Sequence, residues 1–287
     1  MIKTFFSSLR IILYLFILVI VYVFYLSRDL PSLERLETFD PAMLSTLYDR
    51  NGEVIGEFYI QKRVFVDIED MPNHLIEAAI ASEDKRFYSH WGVDSQSFFR
   101  AVVVNISSMS FRQGFSTLSQ QLARNLYKEV GFRDSITRKL KEMITAVQIE
   151  RTYTKDEILE MYLNTVHFGH GTYGAESAAK RFFNKTTSEL SIGESAMLIG
   201  LLPSPANYSP LRNLNKAIGR RSIVLKLMYN QDYINYQEYM EHNSIIPDNI
   251  FYEIPKGKAP YFAEHVRRIL EKQDEQLGID IYQDGLK

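Results

Sequence analysis

The chain has 287 residues, of which 46% are hydrophobic and 24% are charged, a composition typical of folded globular proteins and not of disordered ones. Its formal net charge is −2, so we expect no nucleic-acid partner, because such proteins usually carry a basic excess. The absence of cysteine excludes a disulfide framework, a thiolate metal site and a thiol nucleophile.

An uncharged apolar run near the N-terminus predicts a membrane anchor. Residues 11–26 would form a helix about 24 Å long, slightly shorter than the bilayer core of about 30 Å. A cleaved signal peptide is the alternative, but no small-x-small cleavage site follows the run. Lys3 and Arg10 precede the run, which favours a cytoplasmic N-terminus. We predict a cytoplasmic tail at 1–10, a transmembrane helix at 11–27 and an extracytoplasmic remainder.

The segment after the anchor, residues 28–60, is predicted to be a membrane-proximal connection with a small β-hairpin. Asn51-Gly52 lies between two segments that contain apolar residues. This pair predicts a type I′ turn, in which both central residues have positive φ.

From Pro72 onward, apolar residues recur at helical spacing and predict an amphipathic helix that leads into Glu83. Further predicted helices make the chain mainly α, with one compact domain at 61–230 and a C-terminal helical extension at 231–287. These helices are predicted at 95–108, 116–128, 135–151, 155–164, 172–182, 189–202 and 213–229.

Glu83 is the first candidate catalytic residue. It ends an apolar helix and is followed by Phe87, so partial burial would raise the pKa of its carboxyl group toward neutral. A glutamate in that state suits a general base or acid. An exposed carboxylate at a helix end is the simpler alternative.

Glu142 has different neighbours. In a helix over 135–151 it falls away from the apolar stripe, with Arg138 and Lys139 one turn before it. These cations favour the charged carboxylate, and Ala146 would leave open space beside it. Glu142 is therefore predicted to organise cations or a metal ion. The simpler alternative is a solvated helix face with ion pairs.

A third segment, residues 114–125, predicts an anion or sugar site. Ser116 or Thr117 can cap the helix that follows. Gln120, Gln121 and Arg124 would add donors near the start of that helix, where the dipole favours anions. A capped surface helix is the alternative.

Together these segments resemble the signature motifs of the family 51 glycosyltransferases, the peptidoglycan glycosyltransferases found alone or as the N-terminal half of class A penicillin-binding proteins. Five motifs follow one another in the order and spacing of that family. They are Glu83-Asp84-x-x-Phe87-x-x-His90-x-Gly92-x-Asp94, then Gly114 with Ser116, Thr117, Gln120, Gln121 and Asn125, then Arg138-Lys139-x-x-Glu142, then Phe168-Gly169-x-Gly171, and last Glu194-Ser195-Ala196.

The resemblance implies a lysozyme-like fold that polymerises lipid II into glycan strands. It implies that Glu83 acts as the base on the 4-hydroxyl group of the acceptor N-acetylglucosamine, with inversion at the donor anomeric carbon and release of undecaprenyl diphosphate. It implies that Glu142 is the second catalytic carboxylate, which helps to organise the diphosphate and a divalent cation, Mg²⁺ or Mn²⁺. No organic cofactor is expected.

The resemblance also implies roles for the surrounding residues. The structural residues of the site would be Asp84, Phe87, His90 and Gly92. The expected partners are lipid II, the growing glycan strand, the membrane and wall-synthesis proteins that include a separate transpeptidase, at a bacterial cytoplasmic membrane crossed once. The substrate-binding residues would be Ser116, Thr117, Gln120, Gln121, Arg124, Asn125, Arg138 and Lys139.

Three positions depart from the family pattern. Phe115 stands where the family usually has a glycine, and Arg124 replaces the usual lysine but keeps the positive charge. Asn184 stands where a glycine commonly ends a helix, and asparagine tolerates the left-handed conformation required there.

A penicillin-reactive half is not expected in this chain. It would need Ser-x-x-Lys, Ser-x-Asn and Lys-Thr-Gly elements. Ser82-Glu83-Asp84-Lys85 matches the first inside another motif, and Lys185-Thr186-Thr187 lacks the glycine. Residues 231–287 are thus predicted to lead toward an absent transpeptidase domain. Two alternative functions stay open: a lytic muramidase of similar fold, and an inactive membrane scaffold of wall synthesis.

Overall fold

The computed structural model describes residues 45–58, 64–108, 116–127, 130 and 136–245, with scattered positions between 14 and 30 and between 262 and 270. These residues are mainly helical and include two short two-stranded sheets, which confirms the predicted mainly α fold. The strands are β1 (Ser45–Tyr48), β2 (Val54–Phe58), β3 (His167–Gly169) and β4 (Thr172–Tyr173), and the helices are α1 (Asn73–Glu83), α2 (Ser95–Ser108), α3 (Leu118–Leu126), α4 (Ile136–Thr152), α5 (Lys155–Thr165), α6 (Ala175–Phe183), α7 (Ile192–Leu201), α8 (Pro205–Tyr208), α9 (Leu214–Tyr229) and α10 (Tyr236–Ser244).

The predicted anchor at 11–27 lies partly outside the described residues. The positions between 14 and 27 that are described are helical. In the described part of the chain, no helix has the length and apolar character needed to cross a membrane. The tail at 1–10 lies outside the described residues, so both segments stay predictions.

The predicted hairpin is present, but its turn differs from the predicted one. Strands β1 and β2 pair antiparallel, with Tyr48 opposite Val54, so the loop has five residues instead of two. The Asp49 carboxylate organises this loop, because its Oδ1 accepts from the amides of Asn51 at 2.8 Å and Glu53 at 2.9 Å. Gly52 has a φ of 82°, whereas Asn51 does not have positive φ. The predicted type I′ turn is therefore wrong.

The chain divides into two compact units. The first comprises residues 1–39 and 90–154, and the second comprises residues 40–89 and 155–287. The domain predicted at 61–230 contains parts of both units. Glu83 belongs to the second unit, and Glu142 belongs to the first.

In the first unit, helix α3 packs against α4. Thr117 caps α3, because its Oγ1 accepts from the amide of Gln120 at 3.2 Å, as predicted. Leu118 and Leu122 of α3 and Ile149 of α4 are completely buried in this interface region. These contacts fix the helices that carry the second and third motifs.

The core of the second unit is formed by α7, α9 and α1, which pack against one another. Leu198 on α7, Val224 on α9 and Leu75 on α1 are all 0% exposed. Burial of such side chains contributes about 1.5–3 kcal/mol each. The helix that ends at Glu83 is thus held by the main core of this unit.

Side chains from α5 hold the segment that leads into α1. The Asn164 amide pairs with both backbone groups of Val66: its Oδ1 accepts at 3.0 Å and its Nδ2 donates at 2.8 Å. Glu160 Oε2 accepts from the amide of Ile68 at 2.8 Å. The start of α1 is therefore positioned by residues more than 90 positions later in the chain.

Two predicted helices begin three residues later than expected. Helix α6 starts after Gly174, which has a φ of 78° and whose added Cβ would lie 2.7 Å from the carbonyl oxygen of Asn164. Helix α7 starts after Ser191, which forms a capping box with Glu194. Asn184 ends α6 in the left-handed conformation, with φ of 55°, which confirms that prediction.

Candidate active site

Glu83 is the last residue of α1, where the chain turns away from the helical path. The following residue, Asp84, has a φ of −154°, and its carbonyl oxygen accepts from the amide of Phe87 at 2.9 Å. Ser82 Oγ donates to Glu83 Oε1 at 3.4 Å, and Glu83 is partly buried. The Glu83 side chain is thus partly shielded from water but still accessible. Such a position suits a general base that must contact its substrate.

The residues predicted to support this loop are buried. Phe87 is 0% exposed, and the Lys155 ammonium lies 4.3 Å from the centre of its ring. Asp84 and His90 are each 7% exposed. Their burial supports the structural role predicted for them.

Gly92 joins the first motif to the second and third within the first unit. Its carbonyl oxygen accepts from Thr117 Oγ1 at 2.7 Å and from Gln120 Nε2 at 3.2 Å. Its φ is 93°, and a Cβ there would lie 2.7 Å from the carbonyl carbon of Ala146. Only glycine permits this approach.

The Gly92 backbone lies against the backbone of Ala146, which is 0% exposed, and the open space expected beside the Glu142 carboxylate stays a prediction. The arrangement does change the prediction for two other residues. Thr117 and Gln120 are 2% and 1% exposed, and both side chains bond to Gly92. Their placement favours a structural role over the predicted contact with substrate.

Glu142 lies in a cluster of cations, which we call the cation cluster: Arg124, Arg138 and Lys139. Arg138 Nη1 lies 2.9 Å and Arg124 Nη1 lies 3.8 Å from Glu142 Oε1, whereas Lys139 Nζ lies 2.9 Å from Oε2. Lys139 also donates to Ser116 Oγ at 2.6 Å. Residues of two predicted segments, 114–125 and the helix that carries Arg138, Lys139 and Glu142, therefore meet at one place.

The cation cluster is accessible, whereas the carboxylate at its centre is not. The Glu142 side chain is 1% exposed, so the alternative of a solvated helix face is wrong. The side chain of Arg124 is 34% exposed and that of Lys139 is 21% exposed. Three cations around one carboxylate leave an excess positive charge, which attracts an anion such as a phosphate group.

Burial lowers the pKa of the Lys139 ammonium. The hydrogen bond from Lys139 to Glu142 opposes this shift, while the charges of Arg124 and Arg138 add to it. Glu142 thus helps to keep Lys139 charged among other cations.

The residues around Glu142 do not fit a divalent cation. Both of its carboxylate oxygens accept from cationic side chains. Mg²⁺ and Mn²⁺ require several oxygen ligands. No group of three or more His, Asp or Glu residues that could hold a metal ion occurs among the described residues.

Sequence reasoning missed one pair in this region. Ser119 Oγ donates to Glu150 Oε1 at 2.5 Å and thereby links α3 to α4. The two residues face each other across helices, and neither local spacing nor composition indicates that contact. Gln121 and Asn125 are partly buried on α3, and their predicted contact with substrate stays a prediction.

Comparison with known proteins supports the family indicated by the motifs. Residues 51–229 match the family described as transglycosylase. Penicillin-binding protein 1A of Aquifex aeolicus is 40% identical over 233 residues, which cover 81% of this chain and 32% of that protein. Penicillin-binding protein 1A of Neisseria gonorrhoeae is 40% identical over 262 residues, which cover 90% and 32%.

A crystal structure of penicillin-binding protein 1A from Haemophilus influenzae is also similar. It has a TM-score of 0.49 and 24% identity, and the match covers 86% of this chain and 27% of that one. The chain spans about a third of the length of the curated relatives named above. Because the transglycosylase match extends over more than half of the chain, the chain belongs to this family, the peptidoglycan glycosyltransferases that its motifs resemble.

Proposed function

We propose that this chain polymerises lipid II into glycan strands and releases undecaprenyl diphosphate. The cation cluster around buried Glu142 is the observation that carries the proposal. A diphosphate leaving group gains negative charge as it departs, and fixed cations stabilise that charge. A muramidase has no diphosphate to bind, so the cluster favours glycosyl transfer over hydrolysis.

In the proposed reaction, Glu83 accepts the proton of the 4-hydroxyl group of the acceptor N-acetylglucosamine. The hydroxyl oxygen forms a bond to the anomeric carbon of the donor while the bond from that carbon to the diphosphate breaks. The electron pair of the broken bond leaves with undecaprenyl diphosphate. Attack and departure occur on opposite faces, so the anomeric configuration inverts.

Glu142 has a different part in this proposal. It is buried and bonded to Arg138 and Lys139, so it does not act as a second base. It fixes those cations so that they can bind the diphosphate, and it keeps Lys139 charged. Ser116 Oγ accepts from Lys139 Nζ at 2.6 Å, so its own proton can be donated to a phosphate oxygen of the leaving group.

The membrane position follows from the same substrate. Residues 11–27 would anchor the chain in the cytoplasmic membrane, with the N-terminus inside and the catalytic part on the periplasmic side. The uncharged run and the preceding Lys3 and Arg10 support this topology. The partners would be lipid II, the growing strand and wall-synthesis proteins that include a separate transpeptidase.

The test is an assay of purified protein with labelled lipid II. We expect wild type to make glycan strands, and Glu83→Gln to lose about 10²–10⁴-fold in rate, as removal of a general base does. Glu241→Gln is the matched control, because Glu241 is exposed on α10, and this variant should keep the wild-type rate.

Three results would contradict the proposal. Lipid II that is unchanged by wild type would favour an inactive scaffold. Shortening of preformed glycan by wild type would favour a muramidase. Equal rates for wild type and Glu83→Gln would show that Glu83 is not the base.

A further inference from the structure

Helix α5 contacts the chain on both sides of α1, the helix whose last residue is Glu83. Before α1, Glu160 Oε2 accepts from the amide of Ile68 at 2.8 Å. After α1, Lys155 places its ammonium group 4.3 Å from the centre of the Phe87 ring. All of these residues belong to the second unit. One helix therefore holds both the segment that enters α1 and the loop that leaves it.

Backbone hydrogen bonds connect Phe87 to the end of α1. The Asp84 amide donates to the carbonyl oxygen of Ile80 at 3.1 Å and closes the last turn of the helix. The Phe87 amide donates to the carbonyl oxygen of Asp84 at 2.9 Å. A shift of the Phe87 ring would therefore be transmitted through Asp84 to Glu83.

The Phe87 ring is well placed to bind an ammonium group. It is 0% exposed, whereas the neighbouring Tyr88 is 59% exposed. The face of an aromatic ring carries partial negative charge, and an ammonium group within about 6 Å of its centre is attracted to it. Lys155 is itself partly buried, and this attraction is stronger where water is excluded. The contact between Lys155 and Phe87 thus fixes the loop after Glu83.

Helix stability does not account for a lysine at this position. Lys155 is the first residue of α5, where a positive charge opposes the helix dipole. Asp156 and Glu157 in the same turn carry the charge that the dipole favours. The bond from Tyr88 Oη to Asp156 Oδ1 is exposed and, at 3.4 Å, long for two oxygen atoms, so it holds the loop weakly. Lys155 is therefore the residue of this turn that has a close contact with the loop.

We propose that Lys155 is a positioning residue for glycosyl transfer. By holding the Phe87 ring, its ammonium group keeps the Glu83 carboxylate in the direction needed to accept the proton of the acceptor hydroxyl group. Lys155 would act through Phe87 and not by contact with substrate. A displacement of about 1 Å can lower a rate about 10²-fold, so a modest contact can affect the rate strongly. The inference rests on the proposed function, in which Glu83 is the base.

The kinetic test compares Lys155→Met with wild type in the assay with labelled lipid II. Methionine keeps an apolar stem but has no charge. We expect kcat to fall about tenfold while KM changes by less than about twofold, because the cation cluster is unaltered. Lys155→Arg should stay within about twofold of the wild-type kcat, since a guanidinium group also binds to aromatic faces. Lys226→Met is the matched control, because Lys226 is exposed on α9, and it should keep the wild-type kcat.

Two double variants separate positioning from a general loss of stability. Phe87→Leu removes the ring, so the addition of Lys155→Met should lower kcat no further. Glu83→Gln removes the base, so the addition of Lys155→Met should again leave the residual rate unchanged. A further loss of about tenfold in either background would overturn the proposal. Wild-type kcat in Lys155→Met, or a Lys155→Arg variant as slow as Lys155→Met, would also overturn it.

Amide hydrogen exchange of the full chain gives a readout that does not depend on activity. Lys155→Met should speed exchange of the Phe87 amide about fivefold and leave the amides of α7 unchanged, while Lys155→Arg should exchange like wild type. If this difference is present but wild type does not polymerise lipid II, the proposed function fails and the hold of Lys155 on the loop stands. Equal exchange of the Phe87 amide in wild type and Lys155→Met would overturn the present proposal alone.

Discussion

Thr117 donates its hydroxyl proton to the carbonyl oxygen of Gly92, 2.7 Å away, across 25 residues of sequence. The same hydroxyl oxygen accepts from the amide of Gln120 and thereby caps α3. One buried side chain therefore fixes the end of the first motif and begins the helix of the second. The sequence predicts that Thr117 binds substrate, whereas in the structure its side chain connects the first motif to the second.

Thr117→Val should destabilise the protein by about 1–3 kcal/mol, because the Gln120 amide loses its acceptor and the Gly92 carbonyl oxygen loses one of its two donors, while the side-chain shape is kept. The measurement is the free energy of unfolding from urea titration. Thr152→Val is the matched control, since among the described residues the Thr152 hydroxyl bonds only to the Gln148 carbonyl oxygen, one turn earlier in its own helix, at 3.1 Å. The Thr152→Val variant should lower the free energy of unfolding by no more than about 0.5 kcal/mol. Equal effects would refute the role given to Thr117.

Gly92→Ala should destabilise the protein more than Gly52→Ala does. Both glycines have positive φ, but a Cβ at Gly52 meets nothing within 4 Å, whereas one at Gly92 meets the backbone of Ala146. The left-handed conformation alone costs about 1–2 kcal/mol. The overlap at Gly92 should add about 1–3 kcal/mol. Urea titration of both variants measures the difference, and a Gly92→Ala variant as stable as Gly52→Ala would contradict the close approach.

The rate of glycan synthesis should fall at high pH because Lys139 loses its proton. Burial lowers the pKa of Lys139 below that of an ordinary lysine, so the native protein releases this proton before the unfolded chain does. Between the two pKa values the unfolded chain binds more protons, so this residue makes stability rise with pH while activity falls. The measurement is kcat/KM as a function of pH.

Lys139→Arg should move that alkaline limb to higher pH, because a guanidinium group stays charged. Lys216→Arg is the control, since Lys216 is exposed on α9, and its profile should match wild type. An alkaline limb that is the same in wild type and Lys139→Arg would show that another group causes it.

Removal of divalent cations should change the rate of glycan synthesis by no more than about twofold, because the cation cluster already supplies the positive charge that a metal ion would contribute. The measurement is the initial rate with labelled lipid II before and after chelation. A rate that falls tenfold and returns with Mg²⁺ but not with Na⁺ would show that a metal ion takes part, as the family resemblance implied.

The order of the helices and the position of Glu83 could be predicted from the sequence because they depend on local patterns. Apolar periodicity places α1, and its last turn ends at Glu83. The left-handed end of α6 at Asn184 follows from the properties of one residue.

Features that depend on distant contacts could not be predicted in this way. Glu142 lies away from the apolar stripe of its own helix, which suggests exposure, yet it is 1% exposed in the structure, where Arg124 of α3 joins Arg138 and Lys139 around it. The hairpin turn differs from the predicted one for a local reason, since the Asp49 side chain bonds to two amides of the loop and stabilises a longer connection.

The bonds from Asn164 to Val66 have a consequence for the order in which the protein can fold. The two residues are 98 positions apart, and at about 5–20 residues per second the ribosome needs roughly 5–20 s to make the chain between them. During that time the amide and carbonyl of Val66 lack the partner they have in the native protein. The segment that leads into α1 can therefore reach its native structure only after α5 has been synthesised. The helix that ends at Glu83 is thus synthesised long before its starting segment gains its native hydrogen bonds.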